Sequence, residues 1–306
     1  MVKLHVDDLR FGYKTVEILH GISLDMEDGM MVGILGQNGS GKTTLLNCIN
    51  TTYRQSSGSI AVEDFSKDCL DSDRDIDSIM DIRSFSDSER SRIVATVEQN
   101  SFMSFPFTVL DTVRMGRYSR STVTQESDEE EMEKIISCME DAGVLRFASR
   151  NVSELSGGEW RRVMIAQALA QEPEILLLDE PTLHLDINHQ FDLMDLCRRI
   201  VEKNRILVVI VTHDLQLASR YCDRIIVMKD GNVISDGLPE DVITEEMIAD
   251  IFGMKARICW DEEMQGLSVT LINRIRQDER DRPSFRGPYL TLSACSAPVQ
   301  SNPHRH

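Results

Sequence analysis

Gly36-Gln37-Asn38-Gly39-Ser40-Gly41-Lys42-Thr43 has the spacing of a phosphate-binding loop: a glycine, four residues, then Gly-Lys and a hydroxyl. The context matches the mechanism. Met30–Leu35 is a short apolar run that ends in glycine, as a buried strand does, and Thr43–Asn50 reads as the helix that follows. Glycines allow backbone N–H groups to turn inward around phosphates, and the helix N-terminus adds partial positive charge. Lys42 is then placed to reach the outer phosphates and the Thr43 hydroxyl to ligate Mg²⁺, with Thr44 beside it among the nucleotide-binding positions. The stretch implies ATP with Mg²⁺ as the ligand and an α/β fold to hold it.

Outward from the loop, apolar strands recur at Ile175–Leu178, Ile206–Val211 and Ile225–Met228, with helices between them at about Ile187–Lys203 and Leu215–Tyr221. Strands alternating with helices predict a parallel sheet covered on both faces. Upstream, Val2–Phe11 and Ile22–Met26 read as strands. Asp230-Gly231 predicts a tight hairpin before Val233–Ser235. Met132, Ile135, Ile136 and Met139 fall at helical spacing and predict one apolar face on an acidic helix. Glu63–Glu89, rich in Asp and Ser, is expected to be a mostly solvated connection with at most a helical turn.

Three further stretches carry candidate chemistry. Ile175-Leu176-Leu177-Leu178-Asp179-Glu180 is an apolar strand ending in two carboxylates. There Asp179 can hold the magnesium shell, and Glu180 can face the terminal phosphate and polarise a water. Leu155-Ser156-Gly157-Gly158-Glu159 is a second glycine turn before a predicted second helix, Trp160–Gln171. One ATP needs one such anion-binding cap, so the surplus hints that two chains face each other. Val211-Thr212-His213-Asp214 places His213 at the carboxyl end of a strand, where open α/β sheets bind ligands.

The 306 residues carry 33 Lys and Arg against 51 Asp and Glu, a formal charge of −18. Such a balance repels phosphate backbones and argues against a nucleic-acid partner. The longest apolar runs are strand-length, far short of a bilayer span. Residues Lys3, His5, Asp7 and Asp8 lack the apolar core of a secretory signal. Seven cysteines without a CxxC pair read as reduced cytosolic thiols. From about Asp278 the chain becomes rich in Pro, Ser and Gly, and disorder is expected after about residue 280.

These elements, in this order, resemble the ATP-binding subunits of ABC (ATP-binding cassette) transporters, over about Met1 to Gly253. The Leu-Ser-Gly-Gly-Glu run is highly specific to that family. The resemblance implies a P-loop NTPase core with a mainly parallel sheet, an N-terminal antiparallel β subdomain and an inserted helical subdomain at about 102–171. A C-terminal extension, 254–306, would follow. It also implies roles. Tyr13 would stack on adenine, and Gln99 would join the magnesium site to the helical subdomain. Asp186 would cross a dimer interface, and Ser156, Gly157 and Gly158 would close on the opposing chain's γ-phosphate. Glu180 would be the catalytic base and His213 the switch histidine, with Gly36, Gln37, Asn38, Gly39, Ser40, Gly41, Lys42 and Thr43 cradling the nucleotide. Glu98 stands where relatives usually have proline, and Trp160 where a polar residue is usual.

Phe105-Pro106-Phe107-Thr108-Val109, Met115-Gly116-Arg117 and His184-Leu185-Asp186-Ile187-Asn188-His189-Gln190 look like the branch that serves importers of iron–siderophore, haem and cobalamin. The implied partners are a second copy of the chain, head to tail, and integral membrane permease subunits, on the cytoplasmic face of the cell membrane. His184 and His189 read as surface histidines rather than metal ligands. A DNA-repair ATPase of the superfamily would carry a coiled-coil insertion or zinc cysteines, and a ribosome-associated one two cassettes; the sequence has neither.

Overall fold

In the computed structural model, residues 2–63, 79–99, 106–121, 127–264 and 266–275 are described. In chain order, β1 (Lys3–Tyr13), β2 (Val16–Glu27), β3 (Met31–Gly36), α1 (Lys42–Ile49) and β4 (Ser57–Glu63) come first. Next are β5 (Met80–Asp81), α2 (Asp87–Ile93), β6 (Val94–Val97), α3 (Val109–Met115), α4 (Tyr118–Ser121), α5 (Asp128–Asp141) and α6 (Gly157–Leu169). Then follow β7 (Ile175–Asp179), α7 (Ile187–Asn204), β8 (Leu207–Val211), α8 (Leu215–Tyr221), β9 (Arg224–Lys229) and β10 (Asn232–Gly237). The described chain ends with α9 (Pro239–Val242), α10 (Glu245–Phe252), β11 (Met254–Asp261) and β12 (Gly266–Arg274).

The central sheet runs β10-β9-β3-β8-β7-β6. Its β9, β3, β8, β7 and β6 are mutually parallel, and β10 is an antiparallel edge. The continuous apolar runs in the sequence have their cause here, because both faces of the sheet are buried. Met31, Leu35, Leu176, Leu178, Val208 and Ile210 point into the core covered by α3, α5, α6, α7 and α8. Val32, Ile34, Leu177, Val209 and Val211 point the other way, toward α1 and the second sheet. Each fully buried side chain of this kind contributes about 1.5–3 kcal/mol.

That second sheet, β2-β1-β4-β5, is antiparallel. In β1, Leu4 and Val6 face inward, a bulge follows at Asp7-Asp8, and Leu9 and Phe11 face inward again. The extra residue restores the phase of the alternation. The two sheets meet through a hairpin. Asp230 and Gly231 both take positive φ, +46° and +72°, as a two-residue turn between right-twisted strands requires. The Gly231 carbonyl accepts from His20 N–H at 3.0 Å, and Gly231 N–H donates to Ser40 O at 3.1 Å. A side chain at Gly231 would strike the Ile18 carbonyl at 2.0 Å.

Several sequence expectations shift. The second glycine-turn helix begins at Gly157, three residues before Trp160, because Ser156 and Glu159 form a reciprocal capping box. On α5, Ile135 and Met139 are fully buried while Ile136 stays exposed, so the apolar stripe is narrower than four residues. The expected solvated connection ends in structure. Asp81 caps a 3₁₀ turn, Ser86 caps α2, and Ile82 and Phe85 are buried. Residues 64–78 lie outside the described set, as does the Pro- and Ser-rich tail. Two strands of the sheets, β4 and β6, and the hairpin β11–β12 carry no marked apolar run in the sequence. Among the described residues no helix is long and apolar enough to cross a membrane.

Candidate functional site: a phosphate cleft at the strand ends

Parallel pairing puts four chemically loaded turns side by side. The loop after β3 carries Gly36–Thr43, the turn after β8 carries His213, β7 ends at Asp179 with Glu180 next, and the chain leaving β6 carries Gln99. Ile34 pairs with Val211, Val211 with Asp179, and Leu178 with Val97. Consequently these residues emerge at one level from the carboxyl edge, where open α/β sheets bind ligands. A cleft of about 950 Å³ opens there, lined by Tyr13, Gly36, Gln37, Asn38, Gly39, Gly41, Lys42, Thr43, Thr44, Gln99, Glu180 and His213, while the buried Asp179 and Ser40 stand behind its lining.

The loop is shaped by its glycines. At Gly36, φ is +153° and an added Cβ would lie 2.3 Å from Met228 O and 2.7 Å from Ser40 Oγ. Only glycine lets β3, β9 and the loop approach this closely. Lys42 is 5% exposed and its Nζ donates to Gly36 O at 2.9 Å and Gln37 O at 2.8 Å. Burial pulls its pKa below the usual lysine value, against the pull of Glu180 and Asp179. The first turn of α1 has no side-chain cap, so the N–H groups of Lys42, Thr43 and Thr44 lack intrahelical partners. The buried Ser40 hydroxyl has no hydrogen-bond partner either. Uncapped donors, a buried ammonium and an unpartnered hydroxyl fit a triphosphate.

The donor set for a hard cation lies beside it. Thr43 Oγ1 donates to Asp179 Oδ1 at 3.2 Å, and Gln99 and Glu180 line the same cleft. Asp179 is 7% exposed. Burial raises its pKa above the usual carboxylate value and the neighbouring Glu180 charge adds to this, while the Thr43 hydrogen bond and Lys42 oppose it. Among the described residues no cluster of three His, Cys, Asp or Glu could cage a metal. The Thr43 hydroxyl and the Asp179 carboxylate suit Mg²⁺, which is held by one or two carboxylates together with substrate phosphates.

Glu180 sits at φ +46°, a conformation that costs about 1–3 kcal/mol for a non-glycine residue. Two backbone bonds hold it there: its N–H donates to Val211 O at 3.0 Å, and its carbonyl accepts from Leu183 N–H at 3.1 Å. The turn aims its carboxylate toward His213, with Oε2 3.5 Å from Nδ1.

Tyr13, half exposed, closes one end of the cleft. It meets Phe11 edge-on at 5.0 Å and Tyr53 at 5.6 Å, and Phe11 stacks on Tyr53 at 5.2 Å. The hydrogen bond with Tyr53, reinforced by burial, pushes the Tyr13 hydroxyl up to about 12. Sequence reading missed Ile18, Leu183 and Phe252, which complete the lining. Phe252 ends α10, and the Gln37 side chain donates to the neighbouring Ile251 carbonyl. No local motif marks such a contact between residues more than 200 apart.

Ser156, Gly157, Gly158 and Asp186 do not line this cleft. They form a second assembly. Ser156 Oγ accepts from Glu159 N–H at 3.3 Å, and Ser156 N–H and Oγ both donate to Glu159 Oε2, at 2.8 and 2.9 Å. These backbone and hydroxyl bonds hold Glu159 below the usual carboxylate range. Asp186 caps α7, accepting from His189 N–H at 3.0 Å and sharing a hydrogen with its Nδ1 at 2.7 Å. The His189 ring lies against Gly158, where an added Cβ would come within 3.2 Å of it. His189 is therefore a spacer between the two caps, a role its sequence position gives no sign of.

The sequence profile of the ABC transporter family matches residues 19–183. The cobalamin import ATP-binding protein of Halobacterium salinarum is 36% identical over 253 residues, covering 83% of this chain and 59% of that relative. The chain thus spans little more than half the length of that relative. The ferric enterobactin transport ATP-binding protein of Escherichia coli is 30% identical over 261 residues, 85% of this chain and 91% of the relative. Among solved structures, CbiO1 of Clostridium perfringens, part of the CbiONQ transporter complex, superposes with a TM-score of 0.66 at 28% identity. That match covers 81% of this chain and 92% of the other.

Proposed function

The chain belongs to the ABC transporter family of ATP-binding proteins, and from that premise we propose that it binds ATP with Mg²⁺ and hydrolyses it to drive a separate membrane permease. The observation that carries the reading is the convergence of the phosphate loop, the Thr43–Asp179 pair, Glu180 and His213 on one cleft.

In this reading the half-exposed ring of Tyr13 supports the adenine, and the uncapped N–H groups of α1 cradle the phosphates. Lys42 exchanges the Gly36 and Gln37 carbonyls for phosphate oxygens. Thr43, Asp179 and Gln99 would hold Mg²⁺, which would supply positive charge to offset the negative charge that develops on the phosphates. Glu180 accepts a proton from the attacking water, and His213 keeps the adjacent oxygen of the terminal phosphate in place. Ser156, Gly157, Gly158 and Asp186 serve the nucleotide of a second copy. That none of them lines the cleft of their own chain supports this head-to-tail arrangement.

The transported class we infer is an iron–siderophore, haem or cobalamin-type molecule. Support comes from the 105–109, 115–117 and 184–190 stretches and from the names of the cobalamin and enterobactin relatives. The permease would place the chain on the cytoplasmic face of the membrane. The test has two stages. The purified chain should release phosphate from ATP with Mg²⁺ and not in EDTA. Co-expressed with its permease in vesicles, it should drive ATP-dependent accumulation of one of the three substrate types. Absence of phosphate release overturns the hydrolysis; release without accumulation of any of the three overturns the substrate class.

A further inference from the structure

Gln99 reaches the cleft from a piece of chain that has just left the sheet. Its last sheet partner is Val97, paired with Leu178, so the carbonyls of Glu98 and Gln99 lie beyond the ladder. Both are met by one side chain. Arg161 Nη1 donates to Glu98 O at 2.7 Å and Nη2 to Gln99 O at 2.9 Å. Arg161 stands on α6, five residues after the Ser156 cap, and α6 packs on β6. The guanidinium is half-buried, and Asp179 lies close enough for the two charges to attract. A planar fork on two successive carbonyls fixes the orientation of that backbone, which a single donor cannot do.

We propose that Arg161 is a positioning residue that holds Gln99 against the magnesium-nucleotide site and ties it rigidly to the helix headed by Ser156. The proposal deepens the functional reading above and rests on it. Any displacement of α6 that brings Ser156 toward a second copy's nucleotide then carries Gln99 with it. The half-site that ligates the cation and the half-site offered to the partner move as one piece. Arg161 touches neither nucleotide nor reacting water; it acts through Gln99.

A double-mutant cycle on the full chain separates this from a general packing role. Binding of a fluorescent ATP analogue is measured in EDTA and across a Mg²⁺ titration for wild type, Arg161→Met, Gln99→Ala and the double variant. Arg161→Met should raise the Mg²⁺ concentration for half-maximal effect about tenfold, the worth of one charge-assisted hydrogen bond. Its affinity in EDTA should stay within about twofold on that same reasoning. Arg161→Lys, which keeps the charge and one donor direction, should fall between. The double variant should be no worse than Gln99→Ala. Additive losses, or equal weakening in EDTA and Mg²⁺, overturn the proposal. If Arg161→Met does not fold, Arg161→Lys takes its place in the cycle, and additive losses there overturn the proposal equally. A wild type that ignores Mg²⁺ and ATP defeats the functional reading itself; a wild type that responds, with an additive cycle, defeats only Arg161.

Discussion

Glu180 and His213 face each other across the phosphate cleft from the ends of adjacent parallel strands, with Glu180 Oε2 3.5 Å from His213 Nδ1. That separation is longer than a hydrogen bond, so neither group locks the other. His213 is 53% exposed on its side chain and Glu180 14%. The carboxylate is sheltered and the imidazole is open to a ligand.

Glu180→Gln keeps the shape of the turn and the strained φ while removing the proton acceptor. Nucleotide affinity should change less than about threefold, whereas turnover should fall by about 10²–10⁴, the usual worth of a positioned acid–base group. Steady-state phosphate release and equilibrium binding on the same preparation check both halves. Near-normal turnover would remove Glu180 from the role of base.

Lys42→Ala should fail differently. Loss of the ammonium leaves the Gly36 and Gln37 carbonyls without their donor and takes a cation from the phosphate site. Both binding and hydrolysis should therefore drop. A fall in nucleotide affinity of at least about tenfold is expected from one charge-assisted bond. Retention of wild-type affinity would show that the helix N–H groups hold the phosphates unaided.

Much of this cleft was legible in the sequence because its parts are contiguous. The phosphate loop, Asp179-Glu180 and Thr212-His213 each end an apolar run of four to six residues, and buried parallel strands need such runs. Positions set by long-range packing were not legible. Val94–Val97 is four residues long and includes Thr96, yet it is the edge strand that aims Gln99. Phe252 reaches the cleft only because α10 folds back onto Gln37. The Asp- and Ser-rich stretch hid α2, whose start rests on the capping box of Ser86 and Glu89. There a local hydrogen-bond pattern outweighs composition. Tyr13 and Asp186 had no signal of their own and were placed by family resemblance.

Asp179 gives a pH test. Its folded pKa is raised by burial, so without metal its protonated form is the one the fold favours. Its contribution to stability is present below the unfolded pKa and is lost as pH rises through the raised folded value. At neutral pH and without Mg²⁺, Asp179→Asn should therefore be more thermally stable than wild type. With Mg²⁺ and ATP the order should reverse, because the carboxylate is then the form that binds. Apparent Mg²⁺ affinity in the wild type should weaken as pH falls through the raised pKa, and that trend should be reduced in the Asn variant. Melting curves with and without Mg-ATP across pH measure both. An Asn variant less stable than wild type in EDTA would contradict the assignment.

The two assemblies on this chain, the phosphate cleft and the Ser156–Asp186 face, predict a site shared between two copies. A Lys42→Ala chain lacks its own phosphate clamp, and a Ser156→Arg chain presents a blocked cap to its partner. In a mixed head-to-tail dimer, one site combines the lysine-less cleft with the blocked cap, and the other combines an intact cleft with an intact cap. If each site were built within a single chain, every site would keep one lesion and mixing would restore nothing. Each variant alone should trap no nucleotide. Mixed dimers should recover about half of wild-type trapping, since one of their two sites is whole. Trapping is the better readout because turnover fails if both sites must fire together. Capture through a tag on one variant confirms that mixed dimers have formed. Mixed dimers with no recovery would mean that each site is built within a single chain, whereas normal trapping by the Ser156→Arg chain alone would place Ser156 outside the nucleotide site. The surplus cap on α6 would then be the N-terminus of a helix and nothing more.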